Sequence, residues 1–186
     1  MEMQQQQMEM QQQQEQISII QGEFNQVLNN SEFVSGKVVE YSHYYYFLSS
    51  LHMYHEDTES LFDFFIINFP FSEKKDDAVF YMSEYLFEKK KHKEVVGLLS
   101  SINLYKLDDS QRNSAFFYLG YSCYKANKYE LAKNSFYELI AVTDHLYRDD
   151  AIFYNSYILF LEDNKEEALL GFKALNNSKK YIKQVP

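Results

Sequence analysis

Ala115-Phe116-Phe117-Tyr118 and Ala151-Ile152-Phe153-Tyr154 are two copies of one aromatic phrase, placed 36 residues apart. An alanine follows 17 residues after the start of each phrase, and a phenylalanine follows four residues later; these pairs are Ala132/Phe136 and Ala168/Phe172. A period between about 20 and 50 residues is typical of stacked-repeat proteins, in which each unit buries its apolar face against its neighbours. The recurrence therefore predicts the fold class.

Two weaker copies precede these phrases. The first lies 37 residues before the copy that starts at Ala115 and consists of Ala78, Phe80, Tyr81, Phe87, Val95 and Leu99. The second lies a further 34 residues towards the N-terminus and consists of Tyr46, Phe47, Met53, Leu61 and Phe65. Apolar residues at helical spacing within each copy predict amphipathic helices. We therefore expect four antiparallel helix pairs, at about 37–70, 72–104, 108–143 and 145–177, with a break and cap at Asp57-Thr58 in the first pair.

The composition supports an all-α chain. Its 186 residues are 46% hydrophobic and 18% aromatic, which is enough to bury a substantial core. The two prolines and five glycines are too few for the tight turns of a sandwich or barrel.

The two ends of the chain differ from the repeats. Residues 1–16 are a low-complexity Gln/Met-rich tail, which we expect to be disordered or a frayed helix, since Gln would fill too many seam positions of a coiled coil. Residues 17–36 have helical spacing and form an N-terminal helix or a partial repeat. Residues 178–186 are a C-terminal lead-out, or the start of a further repeat.

Leu119-Gly120, Ala132 and Phe136 together resemble the tetratricopeptide repeat, with Phe116 at the position of its tryptophan. Asn127-Lys128-Tyr129 resembles the short turn between the two helices of that repeat. The other copies depart from the pattern, because Ser49, Ser83 and Ser156 stand where the family has glycine. The resemblance covers about residues 37–177 and implies a right-handed α-solenoid of antiparallel helix pairs.

A narrower resemblance concerns the compartment. The repeated openings Asp76-Asp77-Ala78 and Asp149-Asp150-Ala151, with the final residues 181–186, are similar to large multi-repeat scaffolds of Bacteroidota cell envelopes. Membership of that group would imply a periplasmic or outer-membrane-associated protein. The N-terminus has neither the basic start nor the apolar stretch of a secretory signal, which favours the cytoplasm by default.

In this repeat family the first helix of each pair lines a concave groove that binds a peptide or a partner helix. Carried onto this chain, the groove residues are Tyr46, Ser50 and Met53, then Phe80, Glu84 and Phe87, then Phe117, Tyr121 and Tyr124, and finally Phe153, Tyr157 and Phe160. The alternative for the phenylalanines is that they fill the core between helices, whereas Tyr121 and Tyr157 tolerate partial exposure better. The resemblance thus implies a non-catalytic interaction scaffold or adaptor whose ligand is a protein or peptide.

Other functions receive little support from the residues. A net charge of −9 counts against nucleic acid, and the basic run Lys89–Lys93 is interpreted as a solvated helix end. His52 and His55 have no third ligand at helical spacing, so neither a metal nor another cofactor is expected. No catalytic motif occurs, and no stretch of 18 apolar residues suggests a membrane span. Cys123 lies on an aromatic helix and is expected to be a buried thiol.

Two alternatives remain open at this point. One is a structural component of a larger envelope assembly that self-associates through aromatic surfaces at the ends of the array. The other is an enzyme in which these repeats form only a regulatory arm, although no residue of this chain supports it.

Overall fold

The computed structural model describes residues 36–181, together with residues 11, 15, 18–19, 22–26 and 29 nearer the N-terminus. These described residues form helices and no strand, which confirms the all-α fold class. Most of the tail at 1–16 and the lead-out residues 182–186 lie outside the described residues.

Eight α-helices and one short 3₁₀ helix follow one another between residues 36 and 181. They are α1 Gly36–His52, α2 Thr58–Asn68, α3 Lys75–Glu88, α4 His92–Leu99, the 3₁₀ helix Leu104–Lys106, α5 Asp109–Lys125, α6 Tyr129–Ala141, α7 Arg148–Leu161 and α8 Lys165–Ala174. The chain divides into two compact units, Met1–Met82 and Ser83–Pro186. Each unit is described by itself.

The first unit contains a packed helix pair. α1 packs against α2, and the rings of Phe47 and Phe62 meet at a centroid distance of 5.5 Å. Phe47 and Phe65 are fully buried. The two helices are also tied by Thr58, whose hydroxyl donates to the carbonyl oxygens of His55 at 2.7 Å and Ser50 at 3.1 Å. The break predicted at Asp57-Thr58 is present, but the Asp57 side chain makes no capping hydrogen bond.

The second unit is a succession of packed helices. α5 packs against α6, α6 against α7, and α7 against α8, while α4 also packs against α5. α5 contacts α7 directly as well, so the first helices of the last two pairs are neighbours. α5 begins with a capping box, in which the Asp108 carboxylate accepts the Gln111 N–H at 2.8 Å and the Gln111 side chain accepts the Asp108 N–H.

The same kind of turn follows each of the helices α1, α3, α5 and α7. A residue in the left-handed region stands two positions after that helix ends; these residues are Tyr54, Lys90, Asn127 and Asp163, 36 or 37 residues apart. The next residue's N–H donates to the carbonyl five residues earlier at 2.8–3.0 Å; the pairs are His55/Ser50, Lys91/Leu86, Lys128/Cys123 and Asn164/Leu159. This bond from residue i to residue i−5 satisfies a carbonyl that the helix end leaves open, as in the Schellman motif. The period of the sequence is therefore also the period of the backbone turns.

The turn of the first pair is two residues longer than the others. α2 begins four residues after the left-handed Tyr54, whereas α4 begins two residues after Lys90. A shift of 34 residues therefore aligns second helices, such as Phe65 with Leu99, but first helices need a shift of 36. The 34-residue step predicted from the sequence is therefore right for the second helices. It is two residues too short for the first helices, because the turn between α1 and α2 holds two additional residues.

The register of Tyr46 and Met53 is consequently corrected by two residues. Tyr44 and Leu51, and not Tyr46 and Met53, stand at the positions of Phe80 and Phe87 in the next pair. Tyr44 and Leu51 are buried, while Tyr46 and Met53 are partly exposed.

Small residues allow the helices of the last two pairs to approach closely. A Cβ atom added at Gly120 on α5 would lie 2.8 Å from Cε1 of Phe136 on α6, and Ala132 and Phe136 are fully buried. In the last pair the glycine is on the other helix, because a Cβ added at Gly171 on α8 would overlap Oγ of Ser156 on α7. Each of these two pairs thus has one glycine at its crossing, but on opposite helices.

No helix in the described part of the chain is both long enough and apolar enough to cross a membrane.

Candidate binding groove

An open groove of about 540 Å³ lies on the second unit, where residues of α3, α4, α5 and α7 meet. Its lining combines aromatic rings with charged side chains. The lining residues are Phe87, Glu88, Lys90, His92, Phe117, Tyr121, Lys125, Asp150, Tyr154 and Lys180, and we call this surface the aromatic groove.

Tyr121 is the centre of the aromatic groove. Its ring lies 5.6 Å from that of Phe87, 6.0 Å from that of Phe117 and 5.0 Å from that of Tyr154. The contacts are edge-on or tilted, which aromatic rings prefer to face-to-face stacking. Because three helices supply these four rings, the helix packing itself determines their arrangement.

Three cationic or titratable groups gather at one end of the aromatic groove. His92, the first residue of α4, lies edge-on to the rings of Phe87 and Tyr121. Burial, and then the positive charges of Lys125 and Lys90, lower the pKa of His92 below its ordinary value. Neither lysine forms an ion pair with another described residue. Lys90 and Lys125 therefore place two positive charges in the groove, which Glu88 also lines, although the whole chain is acidic.

Of the two acidic groups that line the groove, Asp150 is already occupied. Asp150, in the first turn of α7, is buried, and its Oδ1 lies 2.6 Å from Nζ of Lys180. The same oxygen accepts a hydrogen bond from the Tyr181 hydroxyl at 2.5 Å. The position of Asp149-Asp150 in the sequence predicts only that they complement the helix dipole, whereas Asp150 also binds the segment that follows α8.

Tyr118 joins the helices behind the groove. Its hydroxyl donates to Glu84 at 2.8 Å and lies 3.4 Å from the Tyr147 hydroxyl. Burial, followed by these hydrogen bonds, raises the pKa of Tyr118 far above its ordinary value. Tyr118 therefore stays protonated at neutral pH and acts as a fixed hydrogen-bond donor.

A second, more apolar cavity of about 450 Å³ lies between α7 and α8. Its lining residues are Phe153, Tyr157, Phe160, Lys165, Ala168, Leu169 and Phe172, and we call it the α7–α8 pocket. This cavity is separate from the aromatic groove, since the two share no lining residue.

The residues predicted for one continuous groove are distributed over several places. Phe80 is only 4% exposed, so it belongs to the core and cannot face a partner. Phe87, Phe117 and Tyr121 line the aromatic groove, with Phe117 as its buried floor. Phe153, Tyr157 and Phe160 line the α7–α8 pocket instead. Tyr124 connects the two sets, since its ring lies 6.1 Å from that of Tyr121 and 6.2 Å from that of Tyr157.

The sequence pattern does not identify the other seven lining residues of the aromatic groove, which are Glu88, Lys90, His92, Lys125, Asp150, Tyr154 and Lys180. Tyr154 belongs to the repeated phrase, so its recurrence is a signal that could have indicated it. In the basic run Lys89–Lys93, which is interpreted from the sequence as a solvated helix end, Lys89, Lys90 and Lys93 are exposed; Lys90 and the partly buried His92 also line the groove.

Cys123 is a buried thiol, as the aromatic surroundings of its helix predict. Burial raises the pKa of its thiol, with a smaller opposing effect from Lys128. His55 lies 3.5 Å from Asp57, and the described residues contain no group of three potential metal ligands.

Cys123 should react with a thiol reagent only as fast as the chain opens, because the thiol is both enclosed and protonated. The measurement is the rate of colour release from Ellman's reagent, with and without guanidinium chloride. As a control, Asn134→Cys in a Cys123→Ser background carries an exposed thiol on α6 and should react at once. Equal rates for the two thiols in the folded protein would contradict the packing of α5.

Comparison with protein-family models, curated proteins and solved structures found no match to this chain.

Proposed function

We propose that this chain is a non-catalytic protein-interaction scaffold of the tetratricopeptide-repeat type, which binds a peptide or a partner helix in the aromatic groove. Its proposed architecture is a right-handed solenoid of helix pairs. The observation that carries the proposal is the turn that recurs at Tyr54, Lys90, Asn127 and Asp163, each time with the same hydrogen bond from residue i to residue i−5. A unit that closes in the same way each time is suited to stacking on copies of itself.

The packing in the second unit supports this architecture. α5 contacts its own partner α6 and also α7, the first helix of the next pair. First helices that are neighbours place their equivalent side chains side by side, which is how a repeat array forms a long ligand surface. Tyr121 and Tyr154 stand at different repeat positions on these neighbouring first helices, and their rings meet at 5.0 Å in the aromatic groove.

The chemistry of the groove favours a ligand that is both apolar and acidic. The rings of Phe87, Tyr121 and Tyr154 offer flat surfaces for an apolar or aromatic side chain. Lys90 and Lys125 lie beside them and can pair with a carboxylate of the ligand. We therefore expect a peptide in which an aromatic or large aliphatic residue lies close to an aspartate or glutamate.

Binding without catalysis agrees with the state of the polar groups. The Asp150 carboxylate is held by Lys180 and Tyr181, so it is poorly placed to accept a substrate proton. The raised pKa of Tyr118 removes it from proton transfer near neutral pH.

Replacing both Lys90 and Lys125 with glutamate should weaken binding of acidic-aromatic peptides about tenfold, equivalent to ~1.4 kcal/mol, because attraction becomes repulsion. The peptides are to be selected from a phage-displayed random library on the immobilised full chain. Synthetic copies are then titrated by fluorescence anisotropy at low and physiological salt. The difference should shrink as salt rises, since these charges are near the surface.

The matched control is Lys93→Glu with Lys106→Glu, which changes the net charge equally at positions outside the groove. This control should bind the selected peptides as the wild type does. An equal loss in both double variants would assign the effect to net charge, and failure to select any peptide would remove the groove function.

Self-association is a second candidate function, favoured by the exposed apolar side chains Leu146, Leu161 and Leu170 on or beside α7 and α8. Light scattering over a range of concentrations tests it, because a scaffold that acts alone keeps the mass of one chain.

A further inference from the structure

The α7–α8 pocket is equivalent, by the repeat period, to a surface of α5 and α6 that α7 covers. A shift of 36 residues places the pocket residues Phe153, Phe160, Ala168, Leu169 and Phe172 on Phe117, Tyr124, Ala132, Lys133 and Phe136 of α5 and α6. The packing of α7 covers that earlier surface. The chain itself therefore provides an example of what fits such a pocket.

Aromatic side chains of α7 and of the residue before it make the earlier interface. Tyr147 stacks on Phe117 with ring centroids 4.3 Å apart and planes 8° apart. Tyr154 lies 5.4 Å from Tyr124 and 6.1 Å from Phe136, and Tyr157 lies 6.2 Å from Tyr124. Phe136 is fully buried as a result.

Within the described residues, the α7–α8 pocket repeats only the contact of Tyr147 with Phe117. Tyr181 stacks on Phe153 at 4.4 Å and 15°, which reproduces the stack of Tyr147 on Phe117. The rest of the pocket is open, with Phe160 51% exposed and Leu169 43% exposed. Phe172 is partly exposed, although its counterpart Phe136 is fully buried.

We propose that the α7–α8 pocket is a docking site for an amphipathic helix of a partner protein, bound as α7 is bound by α5 and α6. The helix presents aromatic residues at positions i and i+3, in the places of Tyr154 and Tyr157. It has an apolar residue at i+8, where α7 has Glu162. Glu162 pairs with Lys133 at 2.7 Å, and the residue at the position of Lys133 in the pocket is Leu169.

The occupant is a partner and not a second copy of this chain. A second copy would have to use α1, the first described long helix, in which Tyr45 stands at the position of Tyr154. Tyr45 already stacks on Phe24 of the N-terminal segment, with ring centroids 5.8 Å apart and planes 12° apart. Although Tyr45 stays 41% exposed, Leu48 stands where α7 has Tyr157, so α1 offers only one of the two aromatic residues that α7 places in the earlier interface.

The probe is a fluorescein-labelled peptide with the sequence of residues 145–162 and Glu162→Leu, titrated against the full chain by fluorescence anisotropy. We expect a Kd on the order of 10–100 μM, since the peptide has to fold as it binds. Leu169→Glu in the protein should weaken binding about tenfold or more, because a carboxylate replaces the apolar contact. Leu170→Glu, at the next residue but outside the pocket and 67% exposed, should leave binding unchanged.

A second pair of variants guards against a folding defect. Phe160→Ala should weaken binding and Leu161→Ala should not, because only Phe160 lines the pocket. A peptide that also carries Tyr154→Ala and Tyr157→Ala should fail to bind. Equal effects of Leu169→Glu and Leu170→Glu, or no binding of the probe, would overturn the proposal.

Two further outcomes distinguish docking in the α7–α8 pocket from displacement of α7 and from dimerisation. Loss of probe binding on Lys133→Glu with no effect of Leu169→Glu would mean that the peptide displaces α7, which overturns the proposal. Concentration-dependent dimerisation that Leu169→Glu abolishes would identify a second copy as the occupant and overturn it too. The inference shares the helix-pair repeat with the proposed function but not the groove, so Lys90→Glu with Lys125→Glu should leave probe binding intact.

Discussion

Phe136→Ala is expected to lower the free energy of unfolding by about 3–5 kcal/mol, because the missing ring leaves a cavity between two helices. Phe136 is fully buried, and its ring fills the space where Gly120 has no Cβ. Tyr154 of the next pair lies nearly parallel to it at 6.1 Å, so one ring connects α5, α6 and α7. Urea or thermal unfolding followed by circular dichroism measures the loss.

Two controls make the test specific to burial. Tyr137→Ala, at the next residue of α6 and 50% exposed, should change stability by no more than about 0.5 kcal/mol. Phe172→Ala, at the equivalent position of the last pair, should cost less than Phe136→Ala because Phe172 is only partly buried. Similar losses at Phe136 and Phe172 would contradict the difference between a covered and an open surface.

Gly171→Ala is expected to destabilise the chain by about 1–3 kcal/mol through overpacking. The added methyl group would overlap Ser156 Oγ and lie 3.1 Å from Ser156 Cβ. The hydroxyl would have to turn away and lose its hydrogen bond to the Ile152 carbonyl, to which it now donates at 2.7 Å.

A second substitution should rescue most of this loss. With Ser156→Gly, the nearest remaining atom is Cα of residue 156 at 4.0 Å, an ordinary contact distance. The double variant Ser156→Gly/Gly171→Ala should therefore be more stable than the sum of the single effects predicts, by about 1 kcal/mol or more. Additive effects in a double-mutant cycle would show that these two residues do not determine the crossing, and Gly97→Ala on α4, with open space around it, serves as a control.

Local patterns in the sequence predict the helices of this chain well. Aromatic and aliphatic residues at helical spacing identify the helix-forming segments, and the small residues Gly120 and Ala132 indicate where helices approach. In the structure Gly120 lies against the ring of Phe136, with an added Cβ only 2.8 Å from Cε1. These features depend on neighbours within about 20 residues, so spacing alone carries the information.

The register of the first pair could not be predicted in the same way. The sequence shows the aromatic positions of α1 but not that the turn between α1 and α2 holds two additional residues. The repeat period alone aligns Tyr46 and Met53 with Phe80 and Phe87. Alignment of the left-handed Tyr54 with Lys90 shows that Tyr44 and Leu51 occupy those positions instead. A single sequence offers no independent check of such an alignment.

The sequence also could not predict which aromatic residues are exposed. Phe80 and Phe87 lie seven residues apart on one face of α3, yet Phe80 is buried and Phe87 lines the aromatic groove. His92 enters the groove because the tight turn after α3 directs the start of α4 towards α5, to within 3.1 Å of Ser122. Exposure depends on which helix covers each position, and that is a property of tertiary packing.

The crossing glycine stands on the first helix of the α5–α6 pair and on the second helix of the α7–α8 pair, which limits how this chain can be rearranged. A chimera that joined α7 to α6 would direct the Ser156 side chain at the ring of Phe136, where only hydrogen fits. Joining α5 to α8 would set Gly120 against Gly171 and leave a gap. Recombination that exchanges a whole helix pair, such as α5 with α6 or α7 with α8, keeps each glycine with the helix it packs against. Recombination between the two helices of a pair separates them. Duplication or shuffling of this protein should therefore proceed in blocks of two helices.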